Sequence, residues 1–151
     1  METLVIQSVD ENMQQVEAFI ESVCTDLNCH NYFGTISVAV LQAVENAIVH
    51  GNKRDPEKNV TIKFSRAKGG VLFTVEDEGD GFDADKFSDL PTDTEQGTGI
   101  FLMRTLSDNC QFSNGGRQVK MLFTIQGIDA SAAMERVNTL TAFFKTSAVN
   151  A

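Results

Sequence analysis

The spacing of apolar residues changes period several times along this chain, and the order of those changes constrains the architecture more than any other feature. The run ETLVIQS reads as a first strand. Behind it Met13, Val16, Phe19, Ile20, Val23 and Leu27 recur every three or four residues, which predicts a helix over about residues 10–28. Ser8 and Glu11 have the spacing of a capping box for its start. Ile36, Ala39, Val40, Ala43, Val44, Ala47 and Ile48 predict a second helix that ends near His50 or Gly51, where the breakers of HGNKRDPEKN begin. VTIKFS and VLFTVED are then strand-like and joined by RAKGG, a hairpin connection. Residues 84–96, ADKFSDLPTDTEQ, are polar and read as a mobile loop with one short helical turn. GTGIFLMRTLSD begins on glycines and turns helical, CQFS and QVKMLFTIQG form a closing hairpin, and Met134, Val137, Leu140 and Phe144 place a last helix in a 129–151 extension. The order β, α, α, β, β, loop, α, β, β, α predicts an α+β fold: a two-layer sandwich with helices on one face of a mostly antiparallel, mixed sheet.

The 151 residues, 42% of them hydrophobic, suffice for one core, so residues 1–151 read as a single domain with no linker or internal repeat. A net charge of -9 argues against a grip on nucleic acid or on an anionic membrane surface. No run approaches the roughly 18 consecutive apolar residues of a membrane-spanning helix. Three cysteines, Cys24, Cys29 and Cys110, with no signal-like start, point to free thiols in a cytoplasmic protein. Cys24, Cys29 and His30 are close in sequence, but zinc needs four ligands and no second cluster follows.

Three short segments carry chemistry. Gln42, Asn46 and His50 are four apart and share a face of an otherwise apolar helix, either as a surface stripe or as a ligand-facing row. In VEDEGDGFD a strand ends in Asp77 and turns through Gly79 and Gly81. A carboxylate there can accept a hydrogen bond from an exocyclic amine such as that of adenine, and the glycines allow close backbone approach. Taken alone the stretch is equally an acidic turn; a calcium loop would need a distal Glu that is missing. Gly97 and Gly99 precede a predicted helix, whose N-terminus offers unpaired amides to phosphate.

In this order and spacing, VLQAVENAIVHGN, VEDEGDGFD and GTGIFLMRTLSD resemble the N box and two glycine boxes of the Bergerat-fold ATPases, the family of gyrase-type topoisomerases, heat-shock chaperones and histidine kinases. The NAIVHGN wording and the short loop at 84–96 look most like the anti-sigma-factor serine/threonine kinases. The resemblance runs from the first helix to about Ile125; the segment from Asp129 onward lies outside it. It implies that Asn46 ligates Mg²⁺, that Asp77 binds the adenine amine, that Gly79, Gly81 and Phe82 shape the base pocket, and that Gly97, Thr98, Gly99 and Ile100 line the triphosphate. It also implies a Thr124 hydroxyl near the adenine; because the net charge of -9 repels a triphosphate, His50, Lys53, Arg54 and Arg104 are candidate cations at the nucleotide, each equally an ordinary solvated residue and His50 equally a cap for the second helix. Glu76, Glu78, Asp80 and Asp83 are then left as solvated charge. A sigma factor, a small antagonist protein and a second copy of the chain, through the first helix and strand, are the implied partners.

One position departs from the family pattern. Four residues before the asparagine the family usually has a glutamate that orients and deprotonates the attacking hydroxyl; here it is Gln42. Glu45 stands about 100° round the helix from Asn46, against about 40° for Gln42, and is not expected to replace it. General-base help is worth about 10² to 10⁴ in rate, so the substitution bears on transfer more than on ATP binding. A protein kinase and a nucleotide-dependent binding module are therefore both open. A detached histidine-kinase catalytic domain is a third reading; His30, at a predicted helix end, is poorly placed as its phosphoacceptor.

Overall fold

The computed structural model describes residues 2–87 and 94–126. The middle of the expected loop and the expected 129–151 helix lie outside the described residues. Five strands, β1 (Glu2–Gln7), β2 (Asn59–Ala67), β3 (Gly70–Glu76), β4 (Asn109–Ser113) and β5 (Gln118–Thr124), form one sheet in the order β1-β2-β3-β5-β4. All four pairings are antiparallel, so the sheet is not the mixed one expected, among the described residues. Topology explains this. Helices α1 (Met13–Asp26) and α2 (Phe33–Asn46) lie between β1 and β2, so the chain goes out and returns to the end it left. The single helix α3 (Glu95–Leu106) carries it from β3 to β4; the two strands run the same way, with β5 inserted antiparallel between them.

The core lies between the helices and one face of the sheet. Val60, Ile62 and Phe64, then Val71, Phe73 and Val75, then Val119, Met121 and Phe123 alternate along their strands and are buried. Register sets them side by side, with Phe64 opposite Phe73 and Phe73 opposite Met121. Against this face α1 buries Val16, Ile20 and Val23, and α2 buries Ile36, Val40 and Val44. Phe73 meets the rings of Phe19 and Phe123 edge-on at 6.5 and 6.2 Å, the arrangement that aromatic quadrupoles favour. Cys24 and Cys29 are buried thiols; burial pushes Cys24 up to about 12 and Cys110 up to about 11, far from thiolate chemistry. The helical stretch His30–Gly51 is long and apolar enough to cross a membrane by length and composition, but here it packs against α1, α3 and the sheet.

Several local expectations change. Ser8 does not cap α1: its hydroxyl donates to the Lys58 carbonyl at 2.6 Å, and a 3₁₀ turn over Asp10–Asn12 precedes the helix. The hairpin strands extend further than expected, leaving only Lys68 and Gly69 as the turn, with Gly69 at φ 75°. The second helix ends where expected, but its last turn, Ala47–Gly51, widens to a π-type turn closed by the Asn52 amide on the Ala47 carbonyl at 2.7 Å.

Candidate functional site

The widened turn has a consequence for the site: it delivers Gly51 and Asn52 to the end of β3. Asn52 is 1% exposed and spends its whole amide there. Its Nδ2 donates to Ser8 Oγ at 2.8 Å and to the Asn59 carbonyl at 3.0 Å, and its Oδ1 accepts the Glu78 amide at 2.8 Å. Asp77 follows β3 directly, its amide donating to the Arg117 carbonyl at 2.9 Å. Its Oδ1 accepts the Gly79 amide at 2.8 Å, and its carboxyl lies so close to Gly51 that a Cβ there would stand 2.5 Å from Cγ. Burial, the largest influence, pushes the Asp77 carboxyl up; the Gly79 amide and the Arg117 guanidinium pull it back.

The glycines are required by the protein's own backbone. A Cβ on Gly79 would stand 1.9 Å from the Gly51 carbonyl oxygen. Gly81, at φ 82°, and Gly116, at φ 93°, face the loop and strand opposite: a Cβ would stand 2.2 Å from the Gly115 oxygen in one case and 2.3 Å from the Phe82 oxygen in the other. The Phe82 amide bonds to the Gly115 carbonyl at 2.8 Å, and Arg117 donates from Nε to Gly79 O at 2.8 Å and from a terminal nitrogen to Asn114 O at 2.7 Å. Asn52, Arg117 and Gly115–Gly116 are the supports that sequence reasoning missed. Arg117, in GGR between two strand patterns, carried a signal that went unused.

The other acids are mostly engaged rather than solvated. Glu78 accepts the Asn59 amide, Glu76 accepts from Gln118 Nε2 at 2.7 Å, and Asp83 caps the short turn Ala84–Lys86. Asp80 lines a hollow of about 650 Å³ together with Gly81, Phe82, Arg104 and Phe112.

Gln42, Glu45, Asn46 and His50 meet Glu95, Gln96 and Gly99 of α3 in a narrow cleft of about 10 Å³. Glu45 shares this cleft although it stands about 100° round the helix from Asn46, because α3 packs over that side of α2. Asn46 Oδ1 is buried and has no hydrogen-bond partner among the described residues. A buried carbonyl-type oxygen without a donor costs about 1–3 kcal/mol, and a hard cation is the ligand that such an oxygen suits. Burial, then a hydrogen bond with Glu95 and the charge of that neighbour, push the Glu45 carboxyl up.

The start of α3 differs from expectation. The helix begins at Glu95, so Gly97 and Gly99 lie inside it, and the Gly97 amide is already held by Thr94 Oγ1 at 3.1 Å. The amides of Glu95 and Gln96, in its first turn, have no intrahelical partner. Gly99 is where Gln42 packs, a Cβ there standing 3.0 Å from Gln42 Oε1. Ile100 is fully buried in the core, so its side chain cannot line a ligand, and the Thr98 amide bonds to the Thr94 carbonyl at 3.0 Å. Thr124 is a clear correction. It pairs with Gly70, at the opposite end of β3 from Glu76 and Asp77, some 20 Å away at about 3.3 Å per residue. It cannot reach a base held by Asp77. Arg104 lines the hollow beside Gly81 and Phe82, where it donates to the carbonyls of Phe87 and Ala84 at 2.8 and 3.2 Å and lies over the Phe112 ring. Arg54 pairs with Asp10 at 3.6 Å.

The model of the histidine kinase-like ATPase domain matches residues 6–123, which include α1, α2, the Asp77 turn, α3 and the sheet from the end of β1 almost to the end of β5. This chain belongs to the histidine kinase-like ATPase family. Among its relatives, the serine-protein kinase RsbW of Bacillus subtilis is 37% identical over 89 residues, 52% of this chain and 56% of that protein. RsbW of Bacillus velezensis is 33% identical over 61% of this chain and 64% of its own length, and an anti-sigma F factor of Clostridium perfringens is 31% identical over 58% and 67%. The chain thus spans roughly half to two thirds of the length of these relatives. The histidine kinase domain of a blue-light-activated kinase from Erythrobacter litoralis superposes with a TM-score of 0.52 at 18% identity, over 76% of this chain and 63% of that one, a likeness of fold. For this ATPase family the expected ligand is ATP. Pockets for ligands of that size run about 300–1,000 Å³. The Asn46 cleft is far smaller than this, and space of that order lies around Gly81 and Phe82.

Proposed function

We propose that this chain is an ATP-binding, anti-sigma-factor-like regulator of the cytoplasm that transfers the γ-phosphate of ATP to a serine or threonine of a small antagonist protein. The names of its relatives support the class of activity, and the buried, unpartnered Asn46 Oδ1 is the observation that carries it to this chain. Asp77, oriented by the Gly79 amide, accepts the adenine amine. Asn46 Oδ1 holds Mg²⁺, which when bound neutralises phosphate charge, and His50 and the open amides of α3 face the phosphates. Gln42 accepts a hydrogen bond from the attacking hydroxyl and orients it without taking its proton.

Gln42 also favours a second reading: a nucleotide-dependent module that captures a sigma factor or antagonist without turnover. Phosphoryl transfer depends mainly on positioning and charge neutralisation, and the neutral side chain supplies the first only. Incubation with ATP, Mg²⁺ and a candidate antagonist separates the two. Phosphoserine or phosphothreonine that disappears in Asn46→Ala supports the kinase. Activity that emerges only in Gln42→Glu supports the module.

A further inference from the structure

Two carboxylates meet where α2 joins the start of α3. Glu45 is next to the last residue of α2 and Glu95 is the first residue of α3. Both line the cleft that holds Asn46, whose other walls, Gln42, His50, Gln96 and Gly99, include no lysine or arginine. Arg54 acts on Glu45 from outside this lining and is already paired with Asp10. Asn46 Oδ1, buried in the same place, accepts no hydrogen bond among the described residues. Two carboxyls with no lysine or arginine beside them, and one amide oxygen with no donor, thus line one cleft from two helices, among the described residues.

Hard divalent cations bind oxygen, and Mg²⁺ is typically held by one or two carboxylates plus phosphates and water. We propose that Glu95, with Glu45 beside it, is a carboxylate ligand for the divalent cation that Asn46 Oδ1 holds. The cation then has protein carboxylate as well as phosphate around it, and it binds before nucleotide. Once bound, it converts a pair of charges that repels polyphosphate into a site that attracts it, and it ties the first turn of α3 to the end of α2. Naming the cation as Mg²⁺ rests on the ATP reading above; the convergence of the three oxygens does not.

Mn²⁺, a paramagnetic stand-in for Mg²⁺, tests this by electron paramagnetic resonance titration of the nucleotide-free protein. Glu95 is exposed, so Glu95→Gln leaves the fold intact. Wild type is expected to bind Mn²⁺, and Glu95→Gln to weaken it about 10- to 100-fold, the range in which lost support around a metal usually falls. Glu45→Gln should weaken it in the same direction. ATP titration of the same variant gives the second readout: weaker binding with Mn²⁺, and equal or tighter binding without it. Carboxylates that only repel phosphate would give tighter ATP binding under both conditions, and that result overturns the proposal. Equal Mn²⁺ affinity in wild type and Glu95→Gln, including binding by neither, also overturns it. Wild type that binds Mn²⁺ but no ATP defeats the nucleotide reading and leaves this one standing; ATP binding with Mn²⁺ affinity unchanged by Glu95→Gln does the reverse.

Discussion

The two ends of the candidate site are built differently. At the Asp77 end, Asn52, Gly51, Gly79, Gly81 and the 114–117 loop are pressed together, and the amides of Glu78, Gly79 and Phe82 are all hydrogen-bonded within the protein. At the Asn46 end, α2 faces α3 across a cleft lined by two carboxyls and by Asn46, whose buried oxygen has no partner among the described residues. The first end is finished before any ligand arrives; the second is incomplete without one. A fold can carry that incompleteness because the costs are separate: the rigid end is stabilised by its own contacts, and the open end recovers its deficit on binding.

Substitutions should separate the two ends by how they divide stability from binding. The largest loss is expected for Gly79→Ala, because its Cβ would stand 1.9 Å from the oxygen of Gly51, a backbone atom and not the end of a flexible side chain. Denaturant unfolding should show roughly 3 kcal/mol or more lost, with ATP binding lost alongside. Asn52→Ala comes next, at roughly 2–3 kcal/mol in the same assay, since it strands the Glu78 amide and the Asn59 carbonyl.

Asp77→Asn should act with pH. Burial raises the folded-state pKa of Asp77, so the protonated form is the one the fold favours. Its contribution to stability is fully present below the ordinary aspartate range and is lost as pH rises through the raised value. Thermal melts should therefore find Asp77→Asn more stable than wild type at neutral pH, with the gap closing in acid. An equal gap at both pH values would mean that burial of the charge is not what acts on Asp77.

At the other end Asn46→Ala should leave stability within about 1 kcal/mol of wild type, because it removes an oxygen that has no partner, while ATP binding in the presence of Mg²⁺ falls. The smallest effect belongs to Gly99→Ala. Its Cβ would meet only the flexible end of Gln42 at 3.0 Å, and alanine gains about 1 kcal/mol over glycine inside a helix. Melting should show a shift near zero. A large loss there would place Gln42 and Gly99 in the rigid part of the site.

Much of this was legible in the sequence, for definite reasons. The alternation of Val60, Ile62 and Phe64 and the three-four spacing of α2 are consequences of burying one face, so periodicity identified them. The family resemblance rested on short segments whose spacing survives in the structure, and the strand-end placement of Asp77 followed from the end of an apolar run. What failed depended on distance across the fold. Thr124 lies on an adjacent strand but at its far end, a fact held in register alone. Ser8 looked like a cap and instead bonds to Lys58, 50 residues away. That Glu45 lines the same cleft as Gln42 and Asn46 is likewise set by where α3 crosses α2, which the geometry of one isolated helix does not contain. That Gly79 and Gly81 also meet backbone, at Gly51 and at Gly115, is again a contact across the fold that the sequence does not display.

The most direct test is calorimetric titration of ATP into wild type, Asp77→Asn and Asn46→Ala, each with and without Mg²⁺. A finished base-reading end and a cation-dependent end predict ATP binding by wild type that Mg²⁺ strengthens, loss of binding under both conditions in Asp77→Asn, and loss of only the Mg²⁺ enhancement in Asn46→Ala. Wild type that binds no ATP, or Asp77→Asn that binds it as wild type does, would contradict the account.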